Sequence, residues 1–402
     1  MNFCLFYHSL VSDWNHGNAH FLRGVVSELQ ARGHRVRVYE PADGWSRQNL
    51  LRECGPSALR QFQERYPELS SICYVRENLK LEKVAAEADV ILVHEWNEPW
   101  LVNGLAELHD RWRRSASKHQ FRLLFHDTHH RSVSDPAWLN RFRLDCFDGI
   151  LVFGQVLSEV YRRHGWNDSV WTWHEAADTR RFRPRELGQE YPMGDLVWIG
   201  NWGDDERRLE LEEFIFKPVQ ALKLKCHLYG VRYPEDVLHN LKKRAIRYCG
   251  WLPNYRVPEV YASHAVTVHV PRRYYAETLP GIPTIRPFEA MACGIPLITS
   301  PWQDSEGLFQ AGKDYLIARD SAEMQKHLTT ILNDRHFARH LAAHALATIR
   351  VHHTCAHRVD QLLEILTALG DRDSMPKMPA AGPQQLTHNP RERRPNNAIA
   401  KS

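Results

Sequence analysis

No two of the eight cysteines stand in a C-x-x-C pair. Residues 4, 54, 73, 146, 226, 249, 293 and 355 are scattered through 402 positions, which excludes a disulfide framework and a zinc ribbon and fits a reducing, cytoplasmic setting. Long apolar runs are missing as well. None approaches the ~18 residues needed to span a bilayer, and the N-terminus MNFCLFYHSLVSDWNHG has no basic n-region or small-residue cleavage site. Neither a transmembrane segment nor a signal peptide is therefore expected. A strong surplus of one charge is also lacking. The formal net charge is +4, but residues 371–402 hold six Lys/Arg and three Asp/Glu, which leaves the remainder close to neutral. That excludes the clustered basic face of a nucleic-acid binder, although 24 histidines raise the charge at lower pH. The first βα turn has no G-x-G-x-x-G, which argues against a nucleotide-dependent oxidoreductase. No repeat of solenoid period is found.

What is present is an ordinary globular composition, 43% hydrophobic and 25% charged, on a chain long enough for two domains. Short apolar runs alternate with amphipathic stretches, the pattern of βα units that build a parallel sheet. Segments 2–8, 34–41, 89–95, 121–127 and 148–154 read as strands, with a helix over 19–33 closed by Gly33. After WHEAADTRRFRP (173–184) the pattern restarts with strands at 195–200, 226–230, 247–250, 266–271 and 296–300. Helical spacing over 321–370 closes the chain, and the last stretch, with five prolines and few apolar residues, is expected to be disordered. The expected organisation is a first α/β domain over 1–178, a second over 179–345, a helix over 346–370 and a tail over 371–402. Ligands of such doubly wound domains sit at the carboxyl ends of the strands.

The second domain opens with LVWIGNWGDDERRLELEEF, in which a strand ends at Gly200 and Asn201, Gly203 allows a tight turn, and a helix follows near Glu206. A helix N-terminus suits a phosphate, with Arg207 or Arg208 adding a charge-assisted contact; a plain glycine turn is the other reading. The stretch TIRPFEAMACGIPLITS (284–300) predicts a second helix, starting near Pro287, with Glu289 in its first turn. A carboxylate there is favoured by the helix dipole alone. Yet PRRYYAETLPGIPTIRPFE (271–289) gathers Arg272, Arg273, Arg286 and Glu289 around a Pro/Gly-rich loop, which cations for a diphosphate and a carboxylate for sugar hydroxyls would explain.

These blocks in this order resemble glycosyltransferases of the GT-B fold, in particular the group-1-like, spore-maturation CgeB-like branch. RPFEAMACGIPLITS is similar to the family's R-x-F-E-A-x-A-C-G-x-P block, YCGWLPNYRVPEVYASHAVTVHVPRR (248–273) to the block preceding it, and WHEAADTRRFRP to the interdomain connection. The resemblance covers roughly 195–365 well and the first domain more loosely. It implies two Rossmann-like domains facing a cleft, and a nucleotide-sugar donor, a nucleoside diphosphate sugar, held by the second domain. It further implies that Glu289 holds the ribose, that Arg207 or Arg286 lies near the diphosphate, and that the segment Gly250–Leu252 lies beside the base; Gly200, Asn201, Arg273, Trp251 and Leu252 are expected among the donor-binding residues. Metal-independent transfer to a glycan, lipid-linked or other hydroxyl acceptor follows. One departure stands out: many retaining members carry two glutamates eight positions apart, and eight before Glu289 stands Gly281, with Glu277 only a displaced substitute. A retaining mechanism is not carried over.

In the first domain, LLFHDTHHRSV (123–133) places His126, Asp127, His129 and His130 directly after a strand. A base that takes the acceptor proton is the functional reading; a zinc site or capping by Asp127 are the alternatives. Asp13, His16, Gly17, Asn18, Glu95 and Asn97 end two further strands, and His174 and Glu175 lie in the connection. The D-R-D at 371–373 matches the D-x-D of the other main glycosyltransferase fold, by coincidence at the head of a tail. The expectation is a sugar-transferring enzyme; the rivals are a nucleotide-sugar epimerase or hydrolase on the same fold and a scaffold that binds a glycan or partner without catalysis.

Overall fold

A computed structural model describes residues 1–115, 120–186, 193–203 and 205–374. Among the described residues, thirteen parallel strands form two sheets. The first contains β1 (Asn2–Phe6), β2 (Arg35–Pro41), β3 (Ile72–Tyr74), β4 (Val90–His94), β5 (Arg122–Asp127), β6 (Gly149–Val152) and β7 (Val170–Thr172), in the order β3-β2-β1-β4-β5-β6-β7. The second contains β8 (Gly194–Ile199), β9 (Cys226–Tyr229), β10 (Arg247–Tyr248), β11 (His264–His269), β12 (Leu297–Thr299) and β13 (Leu316–Ile317), in the order β10-β9-β8-β11-β12-β13. Each order reverses beside its own first strand, between β1 and β4 and between β8 and β11, and such reversals open a crevice at the strands' carboxyl ends.

Strand alternation explains why both faces of the first sheet are covered. Cys4, Phe6, Ile91 and Val93 enter one core with the helix Pro99–Arg114, while Phe3, Leu5, Val90 and Leu92 enter the other with the helix Ala19–Ala31. The second core shares Val359, Leu362 and Leu366 of the closing helix Cys355–Ser374. The chain thus crosses back to the first domain at its end, anchored by the pairing of Ala177 with Thr354.

The predicted strands and the helix after β1 are present, with ends trimmed by a few residues. Three short strands, β3, β7 and β13, were not expected, because two or three residues are too few to show alternation. Two boundaries differ. The division at 345/346 falls inside the helix Arg335–His352, and the final helix runs on to Ser374, so that 371–373 are helical. The expected disorder of the remaining tail concerns 375–402, outside the described residues. Among the described residues no helix is long and apolar enough to cross a membrane.

Candidate active site between the two sheets

The two sheets present their carboxyl ends to one cavity of about 580 Å³, within the usual size of a small-molecule site. Its second-domain wall is cationic. Gly200 and Asn201 end β8 there, Gly203 turns the chain at φ +76°, and Arg207, Arg272 and Arg286 line the surface. Arg207 is held in place by donating to the carbonyls of Val270 (3.1 Å) and Asn201, and its Nε is left without a partner. Burial first, and then the neighbouring Arg272 guanidinium, pull its pKa down to about 10, so it stays charged at neutral pH. Arg272 pairs with Glu206 and donates 3.2 Å to His130 Nε2 of the first domain, while His130 Nδ1 lies 2.8 Å from Ser134 Oγ. Arg273, expected among the donor-binding residues, instead turns outward to Glu210 (3.1 Å) and is 44% exposed. Consecutive residues after a strand point to opposite sides, and it is Arg272 that faces the cavity.

Arg286 is the second residue of the helix Ile285–Cys293, whose first turn borders the cavity. The chain enters this helix through Thr284, which lines the cavity with φ +58°. A β-branched residue in the left-handed region is strained, a feature that concentrates at functional sites.

Glu289 occupies the same helix but not the cavity wall. It is fully buried, and its carboxylate accepts from Asn254 Nδ2 (2.7 Å), His20 Nδ1 (3.0 Å) and Arg286. Burial pushes its pKa up, but Arg286, His20 and Asn254 outweigh that and the net shift is downward. Expected at the ribose, Glu289 in this geometry lies behind the wall, where it fixes Arg286 and joins the domains. Trp251 and Leu252 also stay off the wall: Trp251 Nε1 donates to Asp13 Oδ1 (3.1 Å), and Leu252 packs in the second domain's core. Gly281 has φ +90°, and a Cβ there would meet Ser305 Oγ at 2.6 Å and Glu306, so a glutamate at that position would be strained and crowded. Glu277 is 67% exposed beside Arg273, away from the cleft.

The first-domain wall comes from the ends of β1, β4 and β5. His8, His16, Gly17, Asn18, Trp96 and His129 line it. Gly17 lies against the second domain, where a Cβ would make ordinary contact with Ile285 at 3.6 Å. Asn18 donates to Thr128 Oγ1, which also lies 3.0 Å from His94 Nε2. His129 faces the cavity with Nδ1 unpartnered, and burial, followed by His130 and the two arginines Arg272 and Arg131, holds it neutral. The expected bases His126 and Asp127 do not reach the cavity. His126 is enclosed by the rings of Phe21, His94 and Trp173. Asp127 lies under the loop, accepting from Tyr161 Oη (2.7 Å) and from the backbone N–H of His129 (2.9 Å). Strand alternation explains both, since an apolar-strand end turns its polar residues into the core as readily as into the cleft. Glu95 is equally buried, 3.9 Å from Arg131, and its pKa is raised by burial and then by Asp127. Asn97 is spent on the carbonyls of Phe6 and His94. Among the described residues no group of three His, Cys, Asp or Glu could hold a metal.

His174 does not line the cavity; its Nε2 lies 2.7 Å from Glu306, whose other oxygen accepts the backbone N–H of Gln155. Its neighbour Glu175 does line it, although 2% exposed. Sequence reasoning had no signal for Trp96, Arg131 or Thr128 beyond their nearness to strand ends. His269, a polar residue closing the apolar run of β11, was a missed signal: it lines the cavity and is held neutral, at about 3, by burial and then Arg207 and Arg286.

Residues 207–364 match the model of a family described as glycosyl transferase-like. No curated protein matches the sequence. Among solved structures, the Anabaena protein HepE in complex with UDP is similar with a TM-score of 0.63 at 14% identity, over 92% of this chain and all of that one. Sucrose-phosphate synthase from Thermosynechococcus elongatus gives 0.59 at 15% identity, over 92% and 99%. The T4 phage β-glucosyltransferase in complex with its UDP-glucose substrate gives 0.56 at 11% identity, again over 92% and 99%. The two facing sheets are therefore those of the GT-B fold, and residues 207–364, which make up most of the second domain and part of the closing helix, are similar to the glycosyl transferase-like family.

Proposed function

We propose that the protein transfers a sugar from a nucleoside diphosphate sugar to an acceptor hydroxyl. The observation that carries this reading is the wall formed by Arg207, Arg272 and Arg286 at the carboxyl end of β8 and β11, beside the first turn of the helix Ile285–Cys293. Three guanidiniums and a helix N-terminus suit a diphosphate, whose charge grows as the sugar departs, and fixed cations aimed at developing charge are commonly the largest catalytic contribution. The structures solved with UDP or UDP-glucose support the donor class. The R-x-F-E-A-x-A-C-G-x-P block supports a reading of the chain as a member of the CgeB-like branch.

The acceptor enters from the first-domain side, where Trp96 and Trp45 offer apolar ring surface at the mouth. His129 takes the acceptor proton: its ring lines the cavity and is neutral, Arg272 lies 3.5 Å from its Nε2, and Asp127 fixes the loop by accepting its backbone N–H. A neutral imidazole within reach of a hydroxyl is a competent base once the acceptor oxygen begins to bond to the sugar carbon.

The test is release of nucleoside diphosphate from a panel of nucleotide sugars, with and without a mixed glycan and lipid-linked acceptor pool. Release that rises with acceptor and falls in Arg272→Ala supports transfer. Donor consumption without any acceptor dependence points to the epimerase or hydrolase reading, and no consumption of any donor points to a binding scaffold.

A further inference from the structure

Four carboxylates with little exposure lie along the seam between the domains, and three of them are met by donors. Asp13 accepts from Arg23, Trp251 and the backbone of Asn254. Glu289 accepts from His20, Asn254 and Arg286. Glu306 is met by His174 and by the N–H of Gln155. Glu175 is the exception. It is 2% exposed, both its oxygens lack a hydrogen-bond partner, and it lies on the cavity wall with Tyr275, Ile285 and Arg286.

An unpartnered buried carboxyl costs about 1–3 kcal/mol or more, and here the cost is borne by a residue that cannot turn away. The connection carrying it is pinned on both sides: Trp173 Nε1 donates to the carbonyl of Arg358, and the Ala177 N–H to that of His353. The backbone that carries the carboxyl is therefore fixed at the cavity wall. Resting on the donor reading above, we propose that Glu175 selects the sugar, its carboxyl hydrogen-bonding a hydroxyl of an uncharged sugar carried by the nucleotide. It would be a binding and specificity residue at the sugar end, and the arginine wall would hold the diphosphate end.

The surroundings define the class of sugar. Burial, and then repulsion from Glu289, raise the pKa of Glu175 to about 8, against a smaller opposing pull from Arg286. At neutral pH the group is thus protonated and can both donate to and accept from a hydroxyl. A sugar bearing its own carboxylate would meet Glu289 close by and a guanidinium, Arg286, already engaged with it.

Calorimetric titration of the full chain with UDP, GDP and ADP, each beside its hexose conjugate, and with UDP-glucuronate tests this. In the wild type the hexose conjugate binds more tightly than its own diphosphate. Glu175→Leu, which keeps volume but neither donor nor acceptor, should erase that advantage, about tenfold, with diphosphate affinity unchanged. Glu175→Gln should retain most of it. An undiminished advantage in Glu175→Leu, or loss of diphosphate and conjugate affinity alike, overturns the assignment, and tighter binding of UDP-glucuronate than of UDP-glucose overturns the sugar class. Wild type that binds no nucleotide refutes the donor reading itself, and this inference falls with it.

Discussion

His20 Nδ1 and Glu289 Oε1 lie 3.0 Å apart across the seam between the domains. The other ring nitrogen, Nε2, accepts the backbone N–H of Asp178 at 2.8 Å, so the ring proton sits on Nδ1 and is donated to Glu289. The imidazole stacks on Phe182 at 3.6 Å between centroids. One histidine of the first domain thereby fixes the connection and the carboxylate that orients Arg286, linking the first domain to the cationic wall.

Removing that carboxylate leaves Arg286, 25% exposed on the cavity wall, and the buried Asn254 and His20 without their shared partner. Glu289→Ala should cost about 1–3 kcal/mol, the usual penalty for leaving buried hydrogen-bonding groups unsatisfied, and weaken nucleotide binding through the displaced guanidinium. His20→Ala should cost about 1 kcal/mol. Urea unfolding of both variants and the double mutant checks this; additive effects would show that the two residues are not coupled.

The two glutamates should also pull stability in opposite directions with pH. Glu289 has a lowered folded pKa, so its contribution is present above 4.5 and lost as the pH falls through the folded value. Glu175 is raised from 4.5 to about 8, so the folded state keeps a proton that the unfolded chain releases, and stability falls as the pH rises across that window. Glu175→Gln should flatten the decline between pH 5 and 8, measured as unfolding free energy. An unchanged slope would contradict the raised pKa.

His129→Ala should lower kcat by about 10²–10⁴-fold with little change in donor KM. Asp127→Asn, acting only through the loop, should cost less and leave the pH profile of kcat in place. A larger loss in Asp127→Asn than in His129→Ala would reverse the roles.

Restoring a glutamate at 281 should fail. With φ +90° and a Cβ forced within 2.6 Å of Ser305 Oγ, Gly281→Glu should destabilise by roughly 2 kcal/mol or more and gain no activity. Thermal unfolding with a turnover assay reads both; a stable, more active variant would show that the loop is plastic.

Much of the fold was legible because parallel strands buried on both faces are short apolar runs, such as VILV in β4, bounded by helices with clear spacing. The return of the last helix to the first domain was not, since packing partners of an amphipathic helix leave no mark on its own sequence. The site was legible at the level of loops: Gly200, Asn201, Arg207, Arg286, Gly17, Asn18 and His129 all line the cavity. Direction was not. Whether Arg272 or Arg273, His126 or His129, His174 or Glu175 faces the cleft depends on one residue of register at a strand end, which spacing alone cannot fix.

The most direct test of a diphosphate-binding arginine wall is thermal unfolding of the full chain with UDP, GDP, ADP, dTDP and CMP, on wild type and on Arg207→Ala with Arg272→Ala. A ligand at 100 times its Kd adds about 2.7 kcal/mol. The account predicts stabilisation by one of the diphosphates in the wild type and its loss in the double variant. No stabilisation by any diphosphate, or full retention without the two arginines, would contradict it.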